Sequence, residues 1–274
     1  MTKACYVGVA GKARKVKKIY TGVANKARKV KKAYVGVGGK ARLFYSADQK
    51  LSYYGTVTGL SQARGMLAAT TVGNYGLFGG GSYSSGFSTV DAYNASLVRS
   101  TPTALSQTMS MLAATTVGNY GLFGGSHYAG STTVNAYNTS LVRSTLTALS
   151  QARTGLAATA VGNYGLFGGG SIGDGSAIST VDAYNTSLVR STPTALSRAR
   201  IAIATTAVGN YGLFGGGSYL STVDAYNTSL VRSTPTALSQ ARTGLAATAV
   251  GNYGLFGGGI TSNNSSLNTV DAYN

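Results

Sequence analysis

From about residue 50 onward, short stretches in which apolar residues alternate with small or polar ones recur along the chain, separated by Gly, Ser and Asn. One copy reads Leu156-Ala157-Ala158-Thr159-Ala160-Val161, then Tyr164-Gly165-Leu166-Phe167, Thr180-Val181-Asp182-Ala183-Tyr184 and Leu188-Val189-Arg190-Ser191-Thr192. Short alternating runs rich in Val, Thr, Tyr and Phe, bounded by turn residues, predict strands rather than helices. Four strands and their turns form one unit, and the unit is copied. Its marker, Val-Gly-Asn-Tyr-Gly-Leu-Phe-Gly-Gly, begins at Val72, Val117, Val161, Val208 and Val250, a spacing of 42 to 47 residues. That period falls in the range of propeller blades built from four short strands. Strands this poor in large side chains bury little area singly, so each unit must gain its stability by packing Leu, Phe, Val and Tyr against its neighbours. The glycine doublets, Gly79-Gly80 and its copies, predict places where two backbones approach closely.

The ends of the repeated region predict closure. The first unit has no Thr-Val-Asp-Ala-Tyr-Asn segment before it, and the last stops at Thr269-Val270-Asp271-Ala272-Tyr273-Asn274 without a following Ser-Leu-Val-Arg-Ser-Thr strand. Tyr53-Tyr54-Gly55-Thr56-Val57-Thr58 is placed to supply that strand. The expectation is an all-β fold: a basic β-hairpin head over residues 1–46, a small antiparallel meander, followed over 47–274 by a five-bladed propeller whose terminal strands share one blade. A truncated larger ring or an open array is the alternative. The order of Arg, glycine doublet, variable loop and Val-Asp-Ala-Tyr is similar to the kelch repeat, across about 225 of the 274 residues. Where kelch units carry a Trp after the Tyr, this chain has Leu97-Val98-Arg99 and its copies, and with no Trp at all it has no WD dipeptide.

Charge separates the two regions. The net charge is +17, but residues 1–50 hold 14 of the 23 Lys and Arg against Asp48 alone, while 51–274 hold 9 basic and 5 acidic residues. Within the head a second repeat has a period of 14, with Tyr6, Tyr20 and Tyr34 opening successive units. The dipeptides Ala10-Gly11, Ala24-Asn25 and Gly38-Gly39 predict hairpin turns that set Tyr6 opposite Lys15 and Tyr20 opposite Lys29. Lys12, Arg14, Lys15, Lys17, Lys18, Lys26, Arg28, Lys29, Lys31 and Lys32 are the candidate docking residues. They suit an acidic protein partner or the protection of strand edges; phosphates and bases of a nucleic acid are the alternative. The tandem Tyr-Val-Gly-Val-x-Gly-Lys-Ala-Arg pattern resembles basic repeats at the start of tail-associated structural proteins of phages and prophages of Gram-positive bacteria. That resemblance implies a virion component whose head docks to other phage structural proteins.

The repeated charges pair up by position. Arg64 goes with Asp91, Arg153 with Asp182, Arg200 with Asp224 and Arg242 with Asp271, whereas the second unit has Met109 and Asn135 at the two places. Joint loss in one unit predicts an ion pair within each blade, since deleting one partner would strand the other charge.

Leu149 to Gly170 is identical to Leu238 to Gly259, yet the loops after the glycine doublets differ in length and chemistry. Equivalent propeller loops share one face, so the variation predicts a binding surface. Tyr83, Phe87, His127, Tyr128, Ile172, Asp174, Tyr219, Leu220, Asn263 and Asn264 are the candidates, with aromatic rings to stack on sugars and Asn and Asp to bond hydroxyls. Catalytic chemistry has few carriers: the chain has one Cys, Cys5 in the head, one His, His127, and no Glu. No enzymatic activity, metal or cofactor is expected. The Gly-Leu-Phe-Gly-Gly-Gly segments lack the Gly-Lys-Ser/Thr ending of a P-loop. No stretch approaches the 18 or more apolar residues of a membrane helix, and the N-terminal residues have no secretory pattern. The expectation is therefore synthesis in a bacterial cytoplasm without a signal peptide, a place in the virion, and a propeller that binds a host-surface glycan or protein. The alternative is an intracellular interaction scaffold whose head holds nucleic acid.

Overall fold

The computed structural model describes residues 53–127 and 131–274, and before them the backbone of six strands. The chain divides into two compact units, Met1–Thr56 and Val57–Asn274.

In the first unit the strands pair as hairpins: β1 (Tyr6–Val9) with β2 (Lys12–Lys15), β3 (Tyr20–Val23) with β4 (Lys26–Lys29), and β5 (Lys32–Val37) with β6 (Lys40–Ser46). Tyr6 is in register with Lys15 and Gly8 with Ala13, and the second hairpin repeats this with Tyr20–Lys29 and Gly22–Ala27. The third hairpin shifts register by a bulge between Ala33 and Tyr34. Lys12, Arg14, Lys15, Lys26, Arg28, Lys29 and Lys32 are strand residues, whereas Lys17, Lys18 and Lys31 lie outside the described residues.

The second unit is five antiparallel sheets in sequence order. Blade one contains β7 (Ala68–Val72), β8 (Tyr75–Gly79), β9 (Val90–Tyr93) and β10 (Arg99–Ser100). Blade two contains β11 (Ala113–Val117), β12 (Tyr120–Ser126), β13 (Ser131–Asn138) and β14 (Arg143–Thr145). Blade three contains β15 (Ala157–Val161), β16 (Tyr164–Gly168), β17 (Val181–Asn185) and β18 (Arg190–Ser191). Blade four contains β19 (Ala204–Val208), β20 (Tyr211–Gly215), β21 (Val223–Asn227) and β22 (Arg232–Ser233). Blade five contains β23 (Ala246–Val250), β24 (Tyr253–Gly257) and β25 (Val270–Tyr273). The first strands of successive blades lie side by side.

Each blade is held by the same few devices. The turn between third and fourth strands is closed by an Asn: Asn185 Oδ1 accepts from the backbone N–H groups of Ser187 and Val189, at 3.0 Å each, and Asn94, Asn138 and Asn227 repeat the pattern. This explains the recurrent Asn-x-Ser as an Asx-type turn. The blade core is a ring pair: Phe167 meets Tyr184 edge to face with centroids 6.0 Å apart, and the other four blades repeat it. The tyrosine hydroxyl then reaches back to the start of its own repeat, as Tyr184 donates to the Thr147 carbonyl at 2.7 Å.

Between blades the close approach is made by glycine. A Cβ on Gly168 would come within 2.6 Å of the Phe214 ring of blade four, and Gly79, Gly124 and Gly215 stand in the same relation to Phe123, Phe167 and Phe256. The sheet therefore packs face to face only because no side chain intervenes. The apolar cores follow these joints, each cluster mixing residues of one blade with the Phe and Tyr of the next.

One expectation does not hold. Residues 53–58 form no strand, and β25 pairs with β24 alone among the described residues, so the fifth sheet has three strands. Gly55 sits at φ 122, the Tyr53 hydroxyl bonds Thr56 Oγ1 locally at 3.1 Å, and the carbonyls of Thr58 and Gly59 accept from Tyr93 and Arg99 of blade one. The segment is thus interrupted by its glycine, and its last residues are engaged by the first blade.

Candidate binding face

Within each blade the Arg-bearing segment arrives at the end of the sheet from which the variable loop leaves. Isolated bridges tie the two together, Gly65 to Ser82, Thr154 to Ser171 and Thr243 to Ile260. Blades are then laced at this end by backbone hydrogen bonds: Gly81 N–H donates to Met109 at 2.7 Å, Ser126 to Arg153 at 3.0 Å, Gly170 to Arg200 at 2.9 Å and Gly217 to Arg242 at 2.9 Å. A third-Gly carbonyl also receives the far end of its own loop, from Phe87 to Gly81, Ile178 to Gly170 and Leu267 to Gly259. The loops therefore spring from a fixed frame, and their tips are free to differ.

Beneath the frame lie the charges. Arg153 Nη2 is 2.6 Å from Asp182 Oδ2 with both side chains fully buried, Arg64 is 2.7 Å from Asp91, Arg242 is 2.5 Å from Asp271, and Arg200 is paired with Asp224. The same guanidinium donates to carbonyls of the blade, as Arg153 does to Thr180 at 2.7 Å and to Phe167 at 3.2 Å. Burial pulls the Arg153 and Arg200 guanidinium pKa values down from their usual range, with Asp182 and Asp224 opposing the shift. In blade two Asn135 Nδ2 faces Met109 Sδ at 3.6 Å. A second arginine, not foreseen from the sequence, joins the set in the first four blades: Arg99 is 3.7 Å from Asp91, Arg190 is 2.8 Å from Asp182, Arg232 is 2.9 Å from Asp224, and Arg143 donates to Asn135 at 3.1 Å. Its recurrence eight residues after Asp91, Asn135, Asp182 and Asp224 was the available signal. Each carboxylate is paired within its own blade, although the Nε of Arg153, Arg190, Arg200, Arg232 and Arg242 is buried without a partner among the described residues, and this pairing assigns the groups to the frame.

At the loop tips Tyr83, His127, Asp174, Tyr219, Asn263 and Asn264 are exposed, while Phe87, Ile172 and Leu220 are half-buried. Tyr128 lies outside the described residues. Asp174 Oδ1 accepts from Ser176 N–H at 2.8 Å, which holds its carboxyl below the usual range. Leu220 bridges to Arg242 through its backbone and so anchors its loop rather than tipping it.

Between blades two and three the loops leave a cleft of about 310 Å³ lined by Met111, His127, Thr154 and Ile172 together with the backbone of Gly173 and Gly175. Thr154 Oγ1 is buried there with no hydrogen-bond partner among the described residues. Met111 and Met66 occupy a position that is Gly155 and Gly244 in blades three and five, each at φ between 50 and 63. Their side chains are exposed on this face, outside the variable loops.

No protein-family model matches the chain, and no curated protein does. Among solved structures the chain is similar to one titled "Structure of YjhT", with a TM-score of 0.64 at 11% identity, over 84% of this chain and 90% of that one. YjhT has the kelch-type propeller fold, and the repeated sheets here superpose on it. The fold is kelch-like.

In this kelch-like propeller the ten loop candidates are divided among five separate tips. His127 and Ile172 meet in the cleft, whereas Tyr83, Tyr219 and Asn263 stand on other blades of the same face. No group of three or more His, Cys, Asp or Glu side chains suited to a metal occurs among the described residues. No helix of the described residues is long and apolar enough to cross a membrane.

Proposed function

We propose that this protein is a non-enzymatic binding and structural protein of a phage or prophage tail, in which the basic head docks to other tail proteins and the propeller's loop face binds a host-surface glycan or protein. The observation that supports it most is the contrast between identical scaffold and divergent loops on one side of the blades. Blades three and five share the run from the Arg segment through the glycine doublet residue for residue, while their loops are Ser171–Ile178 and Ile260–Leu267. A purely architectural repeat has no need of that contrast.

The chemistry of the face favours an uncharged ligand. The frame's Arg and Asp groups are paired beneath it, leaving Arg198 as an exposed arginine in the Arg-bearing segment of blade four, and the exposed tips offer Tyr, Asn, Ser and a single carboxylate, Asp174. Rings that stack on sugar faces and amides that bond hydroxyls suit a glycan. The cleft between blades two and three adds a buried hydroxyl, Thr154, beside the exposed His127.

The test uses the full chain and a variant with one exposed tip residue per loop changed: Tyr83→Ala, His127→Ala, Asp174→Ala, Tyr219→Ala and Asn263→Ala. Binding to intact Gram-positive cells is measured at rising salt. Loop-face binding should persist in salt and disappear in the variant. Binding that vanishes with salt and survives the variant belongs to the basic head instead.

A further inference from the structure

Four internal joints between blades show what covers each face of a blade. On the leading face a blade presents a Phe ring and a bare glycine; on the trailing face it presents a glycine seat and a Thr methyl. Phe123, Phe167, Phe214 and Phe256 sit on Gly79, Gly124, Gly168 and Gly215, and reciprocally Thr70, Thr115, Thr159 and Thr206 fill the space above Gly121, Gly165, Gly212 and Gly254. Each joint also carries the backbone bond from a loop-frame N–H to the carbonyl of the next blade's Arg-position residue.

The two outer faces of the row carry the same parts unused. On blade one Phe78 is 36% exposed where its four counterparts are fully buried, and a Cβ on Gly76 would meet nothing within 4 Å. On blade five the only atom near a Cβ on Gly257, among the described residues, is Val270 Cγ2 of its own sheet, at 3.5 Å. Val250 and Val270 are 58% and 59% exposed, although the equivalent Val161 and Val181 are buried. Ala246, Ala247, Thr248, Leu255, Gly257 and Val270 line an apolar groove of about 240 Å³ on this face. Gly259 N–H, the counterpart of Gly170 N–H, makes no inter-blade bond among the described residues.

We infer that the propeller associates head to tail with a second copy of this chain, the Phe78 face of one propeller seating on the Gly257 face of another. The occupant is fixed by the four internal joints: a surface with a Phe ring, a facing bare glycine and an Arg-position carbonyl fits this seat, and blade one carries all three, in Phe78, Gly76 and Arg64. Within one chain the two faces do not cover each other, since both remain exposed. The contact is heterologous, pairing different surfaces, so it extends into rings or rows instead of stopping at a symmetric dimer.

The experiment compares the full chain with Phe78→Ala and Gly257→Leu. The first removes the ring; the second fills the seat at a position with room for a side chain. Both should keep the far-UV spectrum of the parent in dilute solution, and Gly257→Leu should keep its thermal transition, while Phe78→Ala, which also gives up the edge contact with Tyr93, should melt at a lower temperature. In sedimentation velocity the parent's mass should rise with concentration, and each variant should associate at least about tenfold more weakly. Mixed together, the variants should form a complex of one copy each and go no further, because Phe78→Ala retains the seat and Gly257→Leu retains the ring. A parent that stays monomeric at every concentration, whether closed on itself or open, overturns the inference. So does association unchanged by both variants, or a mixture that does not pair.

Discussion

Asn135 points its amide at the sulfur of Met109, 3.6 Å away, in the place where blade three sets Asp182 against Arg153 at 2.6 Å. The two arrangements occupy the same frame, one neutral and one charged. Removing one charge of a buried pair leaves the other uncompensated, whereas replacing both need cost little. Arg153→Met alone should therefore lower the unfolding free energy by about 3–5 kcal/mol. The double variant Arg153→Met, Asp182→Asn should recover most of it, with Arg190 bonding the introduced amide as Arg143 bonds Asn135 in blade two. Urea unfolding measures all three chains. Losses that simply add would deny the coupling.

The seats at the joints make a second test. Gly168→Ala would place a methyl 2.6 Å from the Phe214 ring, while the same change at Gly257 meets ordinary contact distance. Overpacking of this kind costs about 1–3 kcal/mol. Gly168→Ala should be destabilised by that amount and Gly257→Ala by less than about 0.5 kcal/mol in dilute solution. Equal effects at the two glycines would mean that the internal joints are not close-packed.

Alkaline pH should loosen the blades before it denatures a typical surface. Burial raises the phenol pKa values of Tyr137, Tyr184 and Tyr226, and pushes that of Tyr273 up to about 12. The folded state thus holds these protons after the unfolded chain, at about 10, has released them. Stability from this source is complete below pH 10 and falls as pH rises toward the folded values, by at most about 1.4 kcal/mol per pH unit for each phenol and by less for the more solvated Tyr273. Tyr184→Phe should lose the bond to Thr147 at pH 7 and show a shallower decline above pH 10. A flat stability profile through that range would contradict the account.

The Asn turns give a smaller, local effect. Asn185→Ala removes an acceptor shared by two backbone N–H groups, a loss of about 1 kcal/mol; Asp at the same position should retain most of the stability. Thermal unfolding distinguishes the two.

Periodicity carried most of the architecture, because each blade is a local hairpin stack whose strands and turns are contiguous in sequence. The Arg153–Asp182 pairing was legible for a related reason: the chain itself contains a copy, blade two, from which both members are missing. The second arginine is not legible in the same way, because Arg190 recurs in every complete repeat and so offers no such contrast. The fate of residues 53–58 was not legible either. Strand composition can be read locally, but pairing depends on whether a partner edge comes within reach, and Gly55 breaks the run at φ 122. For the loops, sequence identified the tips but not the Met66 and Met111 side chains beside them, whose exposure depends on a left-handed backbone that Gly155 and Gly244 mark in other copies.

The central claim is that the loop face is the binding surface, and backbone amide shifts of the labelled full chain during titration with purified wall glycans of Gram-positive cells test it most directly. The account predicts shifts confined to the loops carrying Tyr83, His127, Asp174, Tyr219 and Asn263 and to the cleft around Thr154. Shifts restricted to the strands of the basic head, or no shifts with any wall glycan or wall protein, would contradict it.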